Sequence, residues 1–347
     1  MAGDYLKVYK GLDSRKNGFF DVEVWDNPAE HSDHSPITNL HNCNYTTGGV
    51  TVALMAWRGS ENTSISDEQY TFLTRLRDHP NALVVENHFK IEDIGCLVVE
   101  PVRGTFLKWL TFPRQVKLIT DGRMSPILRK MIVTGVCGLV SLVLRQNLYL
   151  EHLRADDLYI KQRGNGEPTL KVLLSGVRKN SGTPRVESSW QHVKDLLVHC
   201  YNVLGLNPSE GTKSLHKFIG SQTESATLEG YPDFWNDDEK DMYLRLIIQA
   251  DISKTETSLQ NSGVTWPRDT YGSVVSMLQD IINHDTKSTY DTSKPLEYIR
   301  LCRNVGKKFN VPQNVQREIS DRVGFLRKME EWHPTIWTSL YQAVGCL

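Results

Sequence analysis

The chain has almost no net charge. Its 40 lysines and arginines are balanced by 41 aspartates and glutamates, for a formal charge of −1. That excludes a global polycation, so any contact with RNA or DNA must be local. No two of the six cysteines (Cys43, Cys96, Cys137, Cys200, Cys302, Cys346) form a C-x-x-C pair. Their scatter argues against a metal site or a disulfide scaffold and suits a reducing compartment. Long apolar runs are missing as well. The longest, Lys130 to Arg145, covers only about one-half to two-thirds of a bilayer span and contains Thr134 and Ser141. A buried core helix is expected there, and no membrane segment. No signal pattern opens the chain, so a cytoplasmic location is expected and the sequons at Asn44 and Asn62 are discounted. Repeats and low-complexity tracts are lacking too.

What is present is an ordinary globular composition, 39% hydrophobic and 23% charged over 347 residues, enough for two domains. The first hundred residues read as strands around one helix. Phe20–Trp25 alternates with period two, and Val50–Trp57 is a more apolar strand. Ser66 caps a helix to about Arg77, with Asp67 and Glu68 in its first turn. After His79-Pro-Asn81 come strands Leu83–Phe89 and Gly95–Glu100, then a short helix from Leu107 to Leu110. The polar stretch His31–Asn44 reads as a long loop. A helix from Pro126 to Arg145, a strand from Leu170 to Leu174 and an apolar helix from Trp190 to Leu204 follow.

Beyond Tyr231 the pattern is all helix. Asn236, with Glu239 three residues on, starts a helix to about Ile252. Trp266-Pro267 is a break, and Ser273–Ile282 is helical. Pro295–Asn304 reads as a short helix stopped by Gly306, Pro312 to about Met329 as another, and Pro334 to about Val344 as the last. In the Pro295 helix, Leu296, Ile299 and Cys302 mark an apolar face, while Arg300, Arg303 and Lys307, and Asn304 and Lys308, recur at helical spacing. Such a cationic and amide knot suits a phosphate-bearing ligand. It also reads as a solvated helix end that complements the helix dipole.

The order of elements in the first 231 residues resembles a protein kinase. His79-Pro-Asn81 lies where that family turns after its C-helix, and Leu97–Glu100 resembles the strand before its hinge. Leu150–Ile160 lies where that family has its catalytic loop, with Leu153, Leu158 and Ile160 keeping the apolar frame, and Leu174-Ser175-Gly176 lies where it has D-F-G. The family's catalytic letters are missing. Met55 stands for the phosphate-gripping lysine, His152 for the catalytic aspartate, Asp157 for the metal-binding asparagine and Leu174 for the metal-binding aspartate. No glycine-rich loop precedes Val50. Phosphoryl transfer rests on positioning and charge neutralisation, so kinase activity is not expected. Nucleotide binding is left open without support.

Residues 232–347 resemble the kinase-extension nuclease (KEN) domain found in the unfolded-protein-response kinase/endoribonuclease and in ribonuclease L. The resemblance rests on Tyr231-Pro-Asp-Phe-Trp235 with Glu239-Lys240, Leu296-x-x-Ile-Arg-x-x-Arg-Asn304 with Lys307-Lys308-Phe309, Val311-Pro-Gln-Asn-Val315, and His333-Pro to Tyr341. It implies an α+β chain: a two-lobed kinase-like domain (mixed-β N-lobe, helical C-lobe, 1–231), then an all-α KEN domain (232–347). It further implies metal-independent RNA cleavage to a 2′,3′-cyclic phosphate, needing no cofactor and activated by pairing of two chains. By position, Tyr290 matches the family's catalytic tyrosine, Arg303 and Asn304 its phosphate-holding pair, and Lys308 the place of its histidine. The family's acidic residue falls near Ala250, next to Asp251. A lysine normally stays protonated (reference pKa about 10.4), so Lys308 suits a clamp or acid better than a base. Three expectations follow: an endoribonuclease with an altered site, a double pseudoenzyme that binds RNA or dimerises with an active relative, or a nucleotide-responsive switch whose kinase-like lobe still binds a ligand.

Overall fold

Period-two alternation in the first hundred residues builds one curled antiparallel sheet. The computed structural model describes residues 5–13, 18–30, 36–59, 65–91, 93–111, 119–120, 123–162, 168–181, 186–219, 230–249 and 252–345. Strands β1 (Tyr5–Asp13), β2 (Gly18–Glu30), β3 (Pro36–Thr47) and β4 (Val50–Arg58) form a meander. Helix α1 (Asp67–Leu76) follows, then β5 (Val85–Ile91) and β6 (Ile94–Val99), in the sheet order β1-β2-β3-β4-β6-β5. Its registered pairs include Val22 with Tyr45 and Met55 with Val99. One face buries Phe20, Val22, Val24, Cys43, Tyr45, Phe89 and Val98. Each such side chain contributes roughly 1.5–3 kcal/mol by leaving water.

The stretch His31–Asn44 is not a long loop. From Pro36 onward it is β3, paired with both β2 and β4; residues 31–35 lie outside the described residues. Asn39 takes the left-handed conformation (φ 65), which interrupts the alternation. Buried Ile37, Leu40, Cys43 and Tyr45 are therefore unevenly spaced, and the period-two signal is hidden. Helix α1 does begin as read. Ser66 Oγ accepts from Gln69 N–H (3.2 Å), and Gln69 Oε1 accepts from Ser66 N–H (3.0 Å).

Next come β7 (Gly104–Thr105), α2 (Phe106–Leu110), β8 (Ile119–Thr120), β9 (Arg123–Met124), α3 (Pro126–Arg145), β10 (Leu148–Leu150), β11 (Leu158–Lys161), β12 (Thr169–Val172), β13 (Val177–Lys179) and α4 (Val186–Val203). Helix α3 buries Ile132, Val136, Leu139, Val140 and Val143 against α4, β10 and β12. No helix among the described residues is long and apolar enough to cross a membrane. The His79-Pro-Asn81 turn is fastened to β12: Val172 N–H donates to Asn81 O (2.8 Å), and Asn81 Nδ2 to Leu170 O (2.9 Å).

The chain divides into two compact units, Met1–Asn207 with Ile219–Ser225, and Pro208–Phe218 with Ala226–Leu347. The division assigns residues 208–218 and 226–231 to the second unit, where Thr212 Oγ1 bonds the Asp233 carboxylate (3.1 Å). This unit is helical: α5 (Glu210–Phe218), α6 (Asp237–Ile247), α7 (Ile252–Asn261), α8 (Ser276–His284), α9 (Pro295–Lys308), α10 (Gln313–Ile319), α11 (Arg322–Trp332) and α12 (Ile336–Val344). Helix α6 starts on the expected Asn236–Glu239 capping box but ends at Ile247, and α7 is a separate helix. The expected helix from Pro312 to Met329 is two. Ser320, at φ 56, ends the first, and Asp321 Oδ1 accepts from Gly324 N–H (2.8 Å) to start the second. The protein is therefore mixed α and β, with a curled antiparallel sheet and about twelve helices.

Candidate functional site

Helix α9 carries the candidate residues, and its neighbours fix its position. Lys294 supplies no side-chain cap. Instead Glu256 on α7 accepts from Leu296 N–H (3.0 Å), a carboxylate at the positive end of the helix. Trp266 Nε1 donates to Lys294 O (2.8 Å). Leu296, Tyr298, Ile299, Leu301, Cys302 and Val305 are buried, which leaves Arg300, Arg303, Asn304 and Lys307 toward solvent. The helix does not stop at Gly306. It presses that glycine so close to α6 that a Cβ there would stand 2.5 Å from Asp241 Oδ1. Gly306 is thus a packing glycine, and Phe309 closes the helix in the left-handed conformation (φ 42).

Tyr290, Arg303 and Asn304 come together. Arg303 donates through Nε (3.2 Å) and a terminal nitrogen (2.6 Å) to Asn304 Oδ1. Asn304 Nδ2 donates to Tyr290 Oη (2.9 Å), and the Tyr290 hydroxyl donates to Asp285 Oδ2 (2.7 Å). The chain of hydrogen bonds is polarised one way, from guanidinium to carboxylate. The Arg300 guanidinium lies 5.3 Å from the centre of the Tyr290 ring and is paired with Glu297 (2.9 Å). Burial, then the bond to Asp285, pushes the Tyr290 phenol above its ordinary range. The same bond holds Asp285 below the usual carboxylate range. Tyr290 is therefore a protonated donor at neutral pH.

Lys308 is the last residue of α9, one turn beyond Asn304; its side chain lies outside the described residues, as do Ala250 and Asp251. Two residues that sequence reasoning left aside stand near this helix end. His284, the last residue of α8, places Nε2 3.3 Å from Asn310 Oδ1. Asp285, next to it, is the anchor of Tyr290. The only sequence signal for either is position: they close a helix five or six residues before Tyr290. His333 is used elsewhere, with Nε2 2.7 Å from Thr265 O and its ring against Tyr298.

The kinase-motif positions form a different arrangement in the first unit. Met55 is buried on β4, and its Sδ accepts from Val102 N–H (3.5 Å). Leu174 is buried. His152 and Asp157 are joined through Ser175, whose hydroxyl donates to Asp157 and lies 3.4 Å from His152 Nε2. Burial pushes the Asp157 carboxyl up to about 6 and, with Arg154 and Arg178, pulls His152 below its ordinary value. Gln69 Nε2 donates to Ser175 O (2.8 Å), tying α1 to this cluster. Ser175 escaped the sequence reading because it stands where the resembled motif has an apolar residue. No protein-family model matches the chain, and no curated protein matches it.

Proposed function

We propose that the second unit is a metal-independent endoribonuclease of the KEN type, cutting single-stranded or loop RNA. On this reading the first unit is a two-lobed, catalytically dead kinase-like domain through which two chains pair. The observation that carries the reading is the Arg303–Asn304–Tyr290 chain. It gathers one cation, one amide and one protonated phenol that the sequence holds up to fourteen residues apart.

In the reaction, the 2′-oxygen attacks the adjacent phosphorus, the P–O5′ bond breaks, and a 2′,3′-cyclic phosphate forms. Arg303 and Lys308 neutralise the phosphorane, and Asn304 orients its oxygens. The Tyr290 phenol gives its proton to the departing 5′-oxygen. The proton of the 2′-hydroxyl goes to His284, whose Nε2 stands beside Asn310 just past the end of α9. Incubating the purified chain with a stem-loop RNA in EDTA tests this. Cyclic-phosphate product that disappears in Asn304→Ala supports it, and no product at high protein concentration sinks it.

A second reading, an RNA-binding pseudoenzyme, is favoured by one feature. Lys308 stands where the resembled family has its histidine, and a lysine serves as a clamp on phosphate better than as a base. Cleavage by the native chain rules that reading out.

A further inference from the structure

The most exposed large apolar-bodied side chain among the described residues is Tyr271, 91% exposed. It does not sit on a loose loop. Arg268 and Val274 form a β-bridge, and Asp269 N–H donates to Ser273 O (2.8 Å). Asp269 Oδ1 accepts from the N–H groups of both Tyr271 and Ser273 (2.9 Å each). Gly272, at φ 81, makes the turn, and Arg268 donates to its carbonyl (2.7 Å). The loop is also fastened to the approach to the candidate site. Arg268 donates to Thr292 O (3.3 Å), and Trp266 Nε1 to Lys294 O. Thr292 is two residues from Tyr290.

A rigid turn that holds an aromatic ring out in water gains nothing from burying it. What it offers is a flat, pre-ordered surface at low entropic cost on binding. Bases stack on such rings with little regard to sequence, because every base has a π-face. Arg268, Arg300 and Arg303 supply cations beside the same segment for the backbone phosphates. We propose that Tyr271 is the stacking platform for an unpaired RNA base adjacent to the Tyr290–Asn304 cluster, an inference that rests on the RNA reading above. A base that has left its helix can reach Tyr271; a base inside a duplex cannot. The site therefore selects single-stranded over paired RNA.

The test is equilibrium binding of a short fluorescent single-stranded RNA, 2′-O-methylated so that it cannot be cut, to the full chain. Tyr271→Ala is expected to weaken binding about 5- to 150-fold, the roughly 1–3 kcal/mol that one base–aromatic stack contributes. Tyr271→Phe keeps wild-type affinity, and a blunt duplex RNA is bound equally by wild type and Tyr271→Ala. If Tyr271→Ala binds the single strand as wild type does while Asn304→Ala binds it more weakly, the platform is refuted and the RNA reading stands. Equal weakening on the duplex also refutes stacking. If wild type binds neither RNA, both fall.

Discussion

Gly306→Ala puts the placement of α9 to a test in which even the sign is decisive. In the interior of a helix whose neighbours leave room, replacing glycine by alanine stabilises by about 1 kcal/mol. At position 306 the new methyl would come 2.5 Å from Asp241 Oδ1. That oxygen cannot swing away freely. Asp241 is buried, and its other oxygen is held by Arg245 (2.5 Å) and Arg322 (2.9 Å). Relief requires moving either α9 or the carboxylate with its two guanidinium partners. Overpacking of this kind costs about 1–3 kcal/mol, and loosening a buried ion pair adds to it. The cost exceeds the propensity gain, so the variant melts a few degrees below wild type in calorimetry and helical circular dichroism. On the endoribonuclease reading proposed above, RNA cleavage falls as well, because Arg303 and Asn304 shift with the helix. In an Asp241→Ala background the clash is gone, and the same substitution raises the melting temperature. A rise in the wild-type background would refute the close approach of α9 to α6.

Four other perturbations follow. Asp157 has its folded pKa raised from 3.8 to about 6, so its contribution is fully present below the unfolded value and is lost as pH rises through the folded one. Urea titrations should therefore show wild type losing on the order of 2–3 kcal/mol relative to Asp157→Asn between about pH 4 and 7; a constant difference contradicts this. On the endoribonuclease reading, Lys308→His puts a group that can accept or donate a proton where Lys308 clamps the phosphorane, and should raise the cleavage rate in EDTA at least about tenfold; a fall instead would show that the lysine's charge matters more there than an added proton acceptor. On the endoribonuclease reading, His284→Gln should cut the rate about 10²- to 10⁴-fold, and added imidazole should restore activity to His284→Ala. An unchanged rate would assign the base elsewhere. Asp285→Asn removes a carboxylate facing the phosphate path, so single-strand affinity should tighten by less than about tenfold while cleavage falls as Tyr290 loses its anchor. Weaker binding would show that Asp285 serves the RNA directly.

Much of this was legible in the sequence where one local rule dominated. The Ser66 and Asn236 capping boxes, the Pro126–Arg145 helix and the apolar face of α9 all follow from spacing and capping alone. Positions where tertiary contact decides were not legible. Gly306 looks like a helix stop because glycine usually is one; only the approach of Asp241 explains a glycine inside the helix. Strand β3 was hidden by one left-handed residue, Asn39, which broke the alternation. Residues 313–332 lacked a visible break because Ser320 adopts a conformation that its residue type does not announce. In the site, Tyr290, Arg303 and Asn304 could be paired in advance by position, but Asp285 and His284 could not. Their role depends on where α8 ends in space, and no residue-level signal encodes that.

The site is self-satisfied, and this bears on how it would work. Arg303 bonds a neutral amide oxygen, Asn304 bonds a phenol, and the phenol bonds a carboxylate. A phosphate competes well for the first of these, since the guanidinium then meets an anion in place of a neutral carbonyl and can bind it through two parallel N–H bonds. It competes poorly for the last, where the acceptor is already an anion. An arriving phosphodiester would therefore take Arg303 and free the Asn304 carbonyl, while Tyr290 stays fixed on Asp285 until charge builds on the leaving oxygen. Exchange at one end with retention at the other keeps the phenol's proton in place until the P–O5′ bond begins to break. An arrangement meant only to hold RNA would gain nothing from Asp285, which repels the ligand without orienting it. On the endoribonuclease reading the carboxylate has a use: it would hold the phenol's proton until the leaving oxygen claims it.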